Sequence, residues 1–178
     1  MKRLSALLFF WGIFCFISQN VYAEWNNVDK KFSASFEAGS TAQGSPSFRL
    51  VGAYWFPKAL KLSNGLDASL RIELDMGLLD TTDTAFDIGF QPVIRIEYKG
   101  CKFKPYFDFG GGIHFLSRAN IDERKLGGGH QFSLLAGTGI LLGNNIGFGY
   151  RYFHISNANI HSHNHGRDEH IGVITIYF

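Results

Sequence analysis

A histidine and a serine two residues apart are the side chains of this sequence whose types and spacing could do chemistry. They are His154 and Ser156, in the tetrapeptide His154-Ile155-Ser156-Asn157. Side chains alternate across a β-strand, so in a strand the imidazole and the hydroxyl would share one face, with Cα atoms roughly 6.5 Å apart. A base beside a serine is the core of nucleophilic acyl transfer. The pair is therefore a candidate for acyl-transfer chemistry.

The segments that precede and follow this pair have the alternation of β-structure. From Leu66 to Met76, apolar residues alternate strictly with polar or charged ones, and the segment from Phe86 to Glu97 largely repeats the pattern. Eight such segments follow one another, and an even number suits a closed antiparallel barrel. The sequence therefore predicts an all-β fold, an eight-stranded antiparallel transmembrane β-barrel. The predicted strands are 32–38, 48–56, 66–76, 86–97, 103–115, 132–142, 146–156 and 170–178.

The polar faces of these segments carry charges that must lie inside such a barrel. Eight strands enclose a space just wide enough to be filled by side chains, so we expect an ion network inside and no channel. The expected members of this network are Asp67, Arg71, Glu73, Arg95, Glu97, Asp108 and Arg151.

Connection lengths orient the predicted barrel. With both chain ends in the periplasm, short turns fall on the inner side and longer loops on the outer side, as barrels of this kind require. The expected periplasmic turns are 57–65, 99–101 and 143–145, and the expected extracellular loops are 80–84, 117–129 and 157–167. The strand that carries His154 and Ser156 then rises to the outer leaflet, where the acyl esters of lipopolysaccharide lie. Both side chains would face lipid.

The last predicted strand supplies a third member for the pair. Counting back from Phe178 in steps of two, the lipid-facing residues include His170 and then Asp168. Parity therefore selects Asp168 over Glu169 as the acid.

The N-terminal segment has the features of an export signal. Lys2 and Arg3 precede an apolar run, and Val21-Tyr22-Ala23 offers small or apolar residues where a signal peptidase cuts. We expect a signal peptide over 1–23 and one barrel domain over 24–178. Loss of the two basic residues leaves 15 Lys and Arg against 15 Asp and Glu. A near-neutral mature chain gives no argument for nucleic-acid binding.

The C-terminal residues resemble a known family, the PagL-type lipid A 3-O-deacylases of Gram-negative outer membranes. His154-Ile155-Ser156-Asn157-Ala158 matches the family's His-x-Ser-Asn-Ala motif on the penultimate strand, and Asn164-x-Gly166 resembles the turn before its acid. The resemblance implies Ser156 as nucleophile, His154 as general base and Asn157 as an oxyanion contributor. The acid, usually glutamate in that family, falls on Asp168 without a gap and on Glu169 after a one-residue insertion.

The resemblance also implies a substrate and a setting. The substrate would be lipid A, or whole lipopolysaccharide, among the lipids of the outer membrane. The reaction would be hydrolysis of the ester-linked 3-hydroxyacyl chain at position 3, with no metal or other cofactor. A homodimer is a further possibility that the family suggests.

Two other functions fit a small barrel. The first is a non-enzymatic barrel of the OmpA or OmpX kind, in which a His-x-Ser pair would be ordinary polar residues at the membrane interface. Loops of at most about 13 residues speak against it, since such barrels project long loops. The second is a palmitoyltransferase-like enzyme, which would need an apolar upper lumen.

Three further features have uncertain roles in the sequence. His161, His163 and His165 could bind zinc or copper, although surface histidines without a function are the simpler interpretation. His170 could compete with His154 for the acid. Cys101 is the one cysteine of the predicted mature chain, and we expect a free thiol in a turn, with an intermolecular crosslink as the alternative.

Overall fold

Eight long antiparallel strands form most of the part of the chain that the structure describes. The computed structural model describes residues 25–27, 30–79, 84–121, 124–160 and 163–178, and the predicted signal peptide lies outside them. The strands are β1 (Phe32–Thr41), β2 (Pro46–Ser63), β3 (Leu66–Leu79), β4 (Ala85–Tyr98), β5 (Phe103–Leu116), β6 (His130–Leu142), β7 (Ile146–Ser156) and β8 (Arg167–Tyr177).

The eight strands close into a barrel. Each strand pairs with its neighbour in sequence, and β1 pairs with β8 from Ser33↔Tyr177 to Thr41↔Glu169. The predicted eight-stranded antiparallel barrel is confirmed. Two small additions are a three-residue strand, Trp25–Asn27, paired with the end of β2, and a two-stranded ribbon, Asn120–Ile121 with Arg124–Lys125, between β5 and β6. Within the described ranges, no helix is long and apolar enough to span a bilayer.

The predicted turn at 57–65 is wrong, because β2 continues to Ser63. The ladder to β3 breaks between Trp55 and Ala59 and then resumes with Ala59↔Ser69. Pro57 lies in that interruption, and a proline has no N–H to donate to a ladder. A bulge therefore absorbs the proline without ending the strand. The actual turn is Asn64-Gly65, where Gly65 has a φ of +80°.

Apolar side chains cover the outside of the wall. Large exposed residues recur on every strand, among them Leu50 on β2, Met76 on β3 and Phe86 on β4, which are 56%, 55% and 60% exposed. Such a belt on a closed barrel is the surface that a bilayer requires.

Ion pairs fill the inside. Asp108 binds the guanidinium groups of Arg71 and Arg95, and Arg151 binds Glu73 and Glu37. A second group of ion pairs surrounds Arg49, which contacts Asp75, Asp87 and Glu169. Of the seven expected members, Arg71, Glu73, Arg95, Asp108 and Arg151 form this network, and Arg49 and its partners extend it beyond what the alternation pattern suggested. Asp67 belongs to its edge, where it pairs with Lys99.

An apolar cluster inside the barrel, next to the ion pairs of Arg49, surrounds the last residues of β7. Phe153 and Ile155 of β7 point inward and pack with Leu135, Ile171 and Val93. Burial of these alternate residues fixes the rotation of β7 about its own axis. The residues that alternate with them, including His154 and Ser156, must therefore face outward.

Candidate active site

The candidate site lies where the end of β7 meets the start of β8. His154 is the register partner of Asp168, and Ser156 is the register partner of Phe132 on β6. Register partners on one face of an antiparallel pair have Cβ atoms about 4.5 to 5.5 Å apart. Short side chains can therefore meet across the two strands without any help from a loop.

His154 and Asp168 are in direct contact. The Nδ1 atom of His154 lies 2.6 Å from Oδ1 of Asp168, and the two side chains are 37% and 33% exposed. A carboxylate only accepts, so Nδ1 carries the proton of this hydrogen bond. The Nε2 atom is then the basic nitrogen, on the opposite side of the ring from the carboxylate. Ser156 lies two residues further along the same outward face and is half-buried.

Glu169 does not contact His154 and instead belongs to the ion pairs inside the barrel. Its side chain points into the barrel and is fully buried, and its carboxylate contacts Nη2 of Arg49 at 2.8 Å and Nη2 of Arg167 at 2.6 Å. The β8 register has no insertion at this point. Of the two acids that the sequence offered, Asp168 is the one beside the histidine.

The Asn157 side chain does not face the site. It is 1% exposed, and its Nδ2 atom donates to the carbonyl oxygens of Leu126 and His163 at 2.7 and 2.6 Å. The expected oxyanion role for this side chain does not match its placement. The reason is parity, because Asn157 follows Ser156 directly and so turns to the inner side. Its contacts instead hold two loops together.

Asn164 was not predicted as a site residue, yet it lies against the peptide that follows Ser156. Its Oδ1 atom accepts the backbone N–H of Asn157 at 3.0 Å, and its Nδ2 atom donates to Oδ1 of Asn159 at 3.0 Å. Among the described residues, the second proton of that amide has no acceptor. Ala158 and Asn159 have φ values of 52° and 62°, which turn the chain back so that Asn164 can reach Asn157.

Gly166 packs against the imidazole of His154. A Cβ atom built on Gly166 would lie 3.1 Å from Cε1 of His154, and the residue has a φ of +61°. Arg124, in the loop between β5 and β6, donates to the carbonyl oxygens of His165 and Gly166 at 2.9 and 3.0 Å. The loop that precedes β8 is thereby held against one edge of the histidine ring.

Two tyrosines lie below the pair on the outer face of β7. The hydroxyl of Tyr152 donates to Oδ1 of Asp168 at 2.6 Å, and the hydroxyl of Tyr150 contacts Nδ1 of His170 at 2.5 Å. His170 faces outward, as parity predicted. Its Nδ1 atom is engaged with Tyr150, so it does not compete with His154 for the acid.

An apolar recess lies at the end of β5 and the start of β6, and β6 is the neighbour of the strand that carries Ser156. It has a volume of about 330 Å³, and Phe132, the register partner of Ser156, forms part of its wall. Ile113 and Phe115 of β5 and Ile160 of the following loop supply most of the remaining apolar surface.

The histidine-rich loop and a cluster inside the barrel contain side chains of types that can bind metals. In the histidine-rich loop, His161 lies outside the described residues, while the backbone of His165 donates to the carbonyl oxygen of Lys125 at 3.4 Å. Among the described residues, Asp75, Asp87 and His114 have ligand atoms within 4.8 Å of one another inside the barrel. Arg49 already contacts both carboxylates, and a positive guanidinium at 2.8 Å opposes a metal cation.

Fold and site together define a class, an eight-stranded β-barrel with a serine, a histidine and an aspartate on the outward face of its last two strands. A family model described as lipid A 3-O-deacylase (PagL) matches residues 16–175. The chain belongs to this family.

Two relatives give the degree of similarity. The lipid A deacylase PagL of Pseudomonas aeruginosa is 30% identical over 79 residues, which are 44% of this chain and 46% of that protein. The aligned part thus spans about half of the curated relative. The crystal structure of the outer membrane enzyme PagL superposes with a TM-score of 0.77 at 22% identity, over 81% of this chain and 98% of that one. At this identity the match shows a shared fold.

Proposed function

We propose that this chain is a lipid A 3-O-deacylase of the outer membrane that hydrolyses the 3-hydroxyacyl ester at position 3. The observation that carries the proposal is the 2.6 Å contact between His154 and Asp168 on the outer wall, beside Ser156. Ionisable side chains on a lipid-facing surface have an energetic cost. A hydrogen-bonded histidine and carboxylate at such a position therefore indicate a functional site. Family membership supplies the substrate class.

The proposed location follows from the apolar belt of the barrel and from the end of the barrel at which the site lies. The apolar belt would lie in the bilayer, and the end that carries the site would lie at the outer leaflet. The segment 1–23 would direct export and be removed. An active site on the wall receives its substrate sideways from the membrane, so the lipid never needs to leave the bilayer.

The proposed reaction passes through an acyl-enzyme. Nε2 of His154 takes the proton of the Ser156 hydroxyl as its oxygen attacks the ester carbonyl carbon. The tetrahedral intermediate collapses, the bond to the sugar oxygen breaks, and that oxygen takes the proton from His154. Water then attacks the acyl-enzyme with the same base and releases the 3-hydroxy fatty acid. Asp168 orients the imidazole and stabilises its protonated form.

The free Nδ2 proton of Asn164 is the best candidate for stabilising the oxyanion. Its amide is held against the Ser156–Asn157 peptide by the hydrogen bond from the backbone of Asn157. Asn164→Asp keeps that acceptor and removes the donor. We expect it to lower kcat about 10²–10³-fold, the usual effect of losing one such donor, and unchanged kcat would reject the assignment.

The recess lined by Phe132 and Ile113 supports an acyl substrate. Burial of one methylene group contributes about 0.8 kcal/mol, so a recess that takes several of them would favour a long chain strongly. Phe132, the register partner of Ser156, forms part of the wall of this recess.

The decisive experiment is mass spectrometry of lipid A from a Gram-negative host that expresses the chain. The wild-type protein should remove one 3-hydroxyacyl mass, and the Ser156→Ala variant should not. Both barrels must be shown folded and in the outer membrane. Unchanged lipid A with the wild-type protein would reject the activity, and deacylation by Ser156→Ala would reject the nucleophile.

A further inference from the structure

The carboxylate of Asp168 receives a second hydrogen bond that the proposed mechanism does not use. Its Oδ1 atom lies 2.6 Å from Nδ1 of His154 and 2.6 Å from the hydroxyl of Tyr152. A carboxylate oxygen has two lone pairs and can accept both bonds at once. The histidine and the tyrosine therefore converge on a single oxygen atom.

We propose that Tyr152 is a positioning residue that holds Oδ1 of Asp168 against the imidazole of His154. The inference rests on the proposed function, because it assigns Tyr152 a role in that same site. Tyr152 lies two residues before His154 on the outward face of β7, and its register partner is His170. Its phenol reaches diagonally to Asp168, so the acid is held from below by the strand that also carries the base.

Asp168 needs such a restraint because its side chain lies exposed on the outer wall of the barrel. An aspartate carboxyl rotates about a broad, two-fold terminal torsion, so rotamer preference alone does not keep Oδ1 toward His154. The side chain is one third exposed on the outer wall, where burial does not restrict this rotation either. A hydrogen bond from a rigid phenol fixes the rotation. The imidazole then keeps the orientation in which Nε2 is the free base.

Tyr150 provides a matched control on the same strand. It also faces outward and also makes a hydrogen bond through its hydroxyl, but its partner is His170. Tyr150→Phe and Tyr152→Phe remove the same atom from two positions of one face. Of the two variants, only Tyr152→Phe removes a hydrogen bond to Asp168.

The experiment measures kcat and KM for lipid A deacylation by the purified full-length barrel. We expect Tyr152→Phe to lower kcat about 10-fold with KM changed less than twofold, because the lost hydrogen bond acts on the acid and not on substrate binding. Tyr150→Phe should stay within twofold of the wild type. In an Asp168→Ala background, Tyr152→Phe should cause no further loss, since the phenol then has no acid to position.

Three outcomes would overturn the inference. They are a Tyr152→Phe enzyme with wild-type kcat, an equal loss with Tyr150→Phe, and a further 10-fold loss in the Asp168→Ala background, which would indicate a general structural role. The wild-type protein and Ser156→Ala are included in every series. An inactive wild-type protein would contradict the proposed function, and an active Ser156→Ala would contradict the proposed nucleophile, whereas a Tyr152→Phe enzyme with wild-type kcat would leave both standing.

Discussion

Side-chain parity decides which residues can take part in the site. Alternation along β7 and β8 placed His154, Ser156 and Asp168 on one outward face from the sequence, and the structure has all three there. The same alternation turns Asn157 inward, so its side chain could have been excluded by the same argument. Parity carries no information about contacts within a loop. Alternation therefore could not assign Asn164 to the site, although this residue is only seven positions from Asn157 and belongs to the turn that resembles the family's.

The two neighbouring acids should give opposite phenotypes. Asp168→Asn should lower kcat by about 10³–10⁴-fold, because the imidazole loses the partner that fixes its tautomer. Glu169→Gln should leave kcat of the folded protein nearly unchanged. It should lower the free energy of unfolding by about 3 to 5 kcal/mol, since Arg49 and Arg167 lose a buried countercharge.

Lipid A deacylation and the thermal unfolding of the barrel measure the two effects separately. The assignment of the acid to Asp168 fails if Glu169→Gln abolishes deacylation in a folded barrel while Asp168→Asn does not.

At the scale of the elements, the strands were predictable and the contacts between loops were not. The alternation pattern located all eight strands, and β7 has the bounds that the sequence indicated. The extension of β2 beyond Pro57 was missed, because proline and the residues around it suggest a turn, whereas pairing with β3 resumes after the bulge. Arg124 contacts the loop before β8 from about 40 residues away. A contact between residues so far apart in the chain produces no periodic pattern in the sequence.

Gly166 gives a test of how the loop before β8 supports the histidine. Gly166→Ala adds a Cβ atom 3.1 Å from Cε1 of His154 and places alanine at a φ of +61°. The backbone cost is about 1 to 2 kcal/mol. Because the ring must also move, we expect kcat to fall roughly 10-fold or more, as small displacements of catalytic groups are costly.

Gly143, in the turn between β6 and β7, is the matched control. It has the same φ of +61°, and nothing lies within 4 Å of a Cβ atom built there. Gly143→Ala should show the backbone cost in thermal unfolding and keep wild-type kcat. Equal loss of kcat in both variants would mean that the packing against His154 is unimportant.

At the scale of the whole molecule, charges bound to one another fill the space that the wall encloses. Asp108 lies between Arg71 and Arg95 and accepts hydrogen bonds from both. Asp108→Asn leaves two buried guanidinium groups without their shared countercharge. We expect the free energy of unfolding to fall by about 3 to 5 kcal/mol, with unchanged kcat in the molecules that remain folded.

Asp67→Asn is the corresponding control for this network. Asp67 pairs with Lys99, whose side chain is 36% exposed, so solvent screens the pair and its loss should cost less than about 1 kcal/mol. Thermal unfolding in detergent compares the two variants directly. Equal stabilities of Asp108→Asn and the wild type would show that the network is not what holds the barrel together.

The ion pairs of the lumen join strands that are far apart in the chain, and this has a consequence for assembly. Arg49 of β2 binds Glu169 of β8, 120 residues later. A partly inserted sheet would turn such an arginine toward lipid, at a cost of about 2 to 4 kcal/mol for each one near the bilayer midplane. Insertion strand by strand is therefore unfavourable. The charges that stabilise the finished barrel make its closure and its entry into the membrane a single cooperative event.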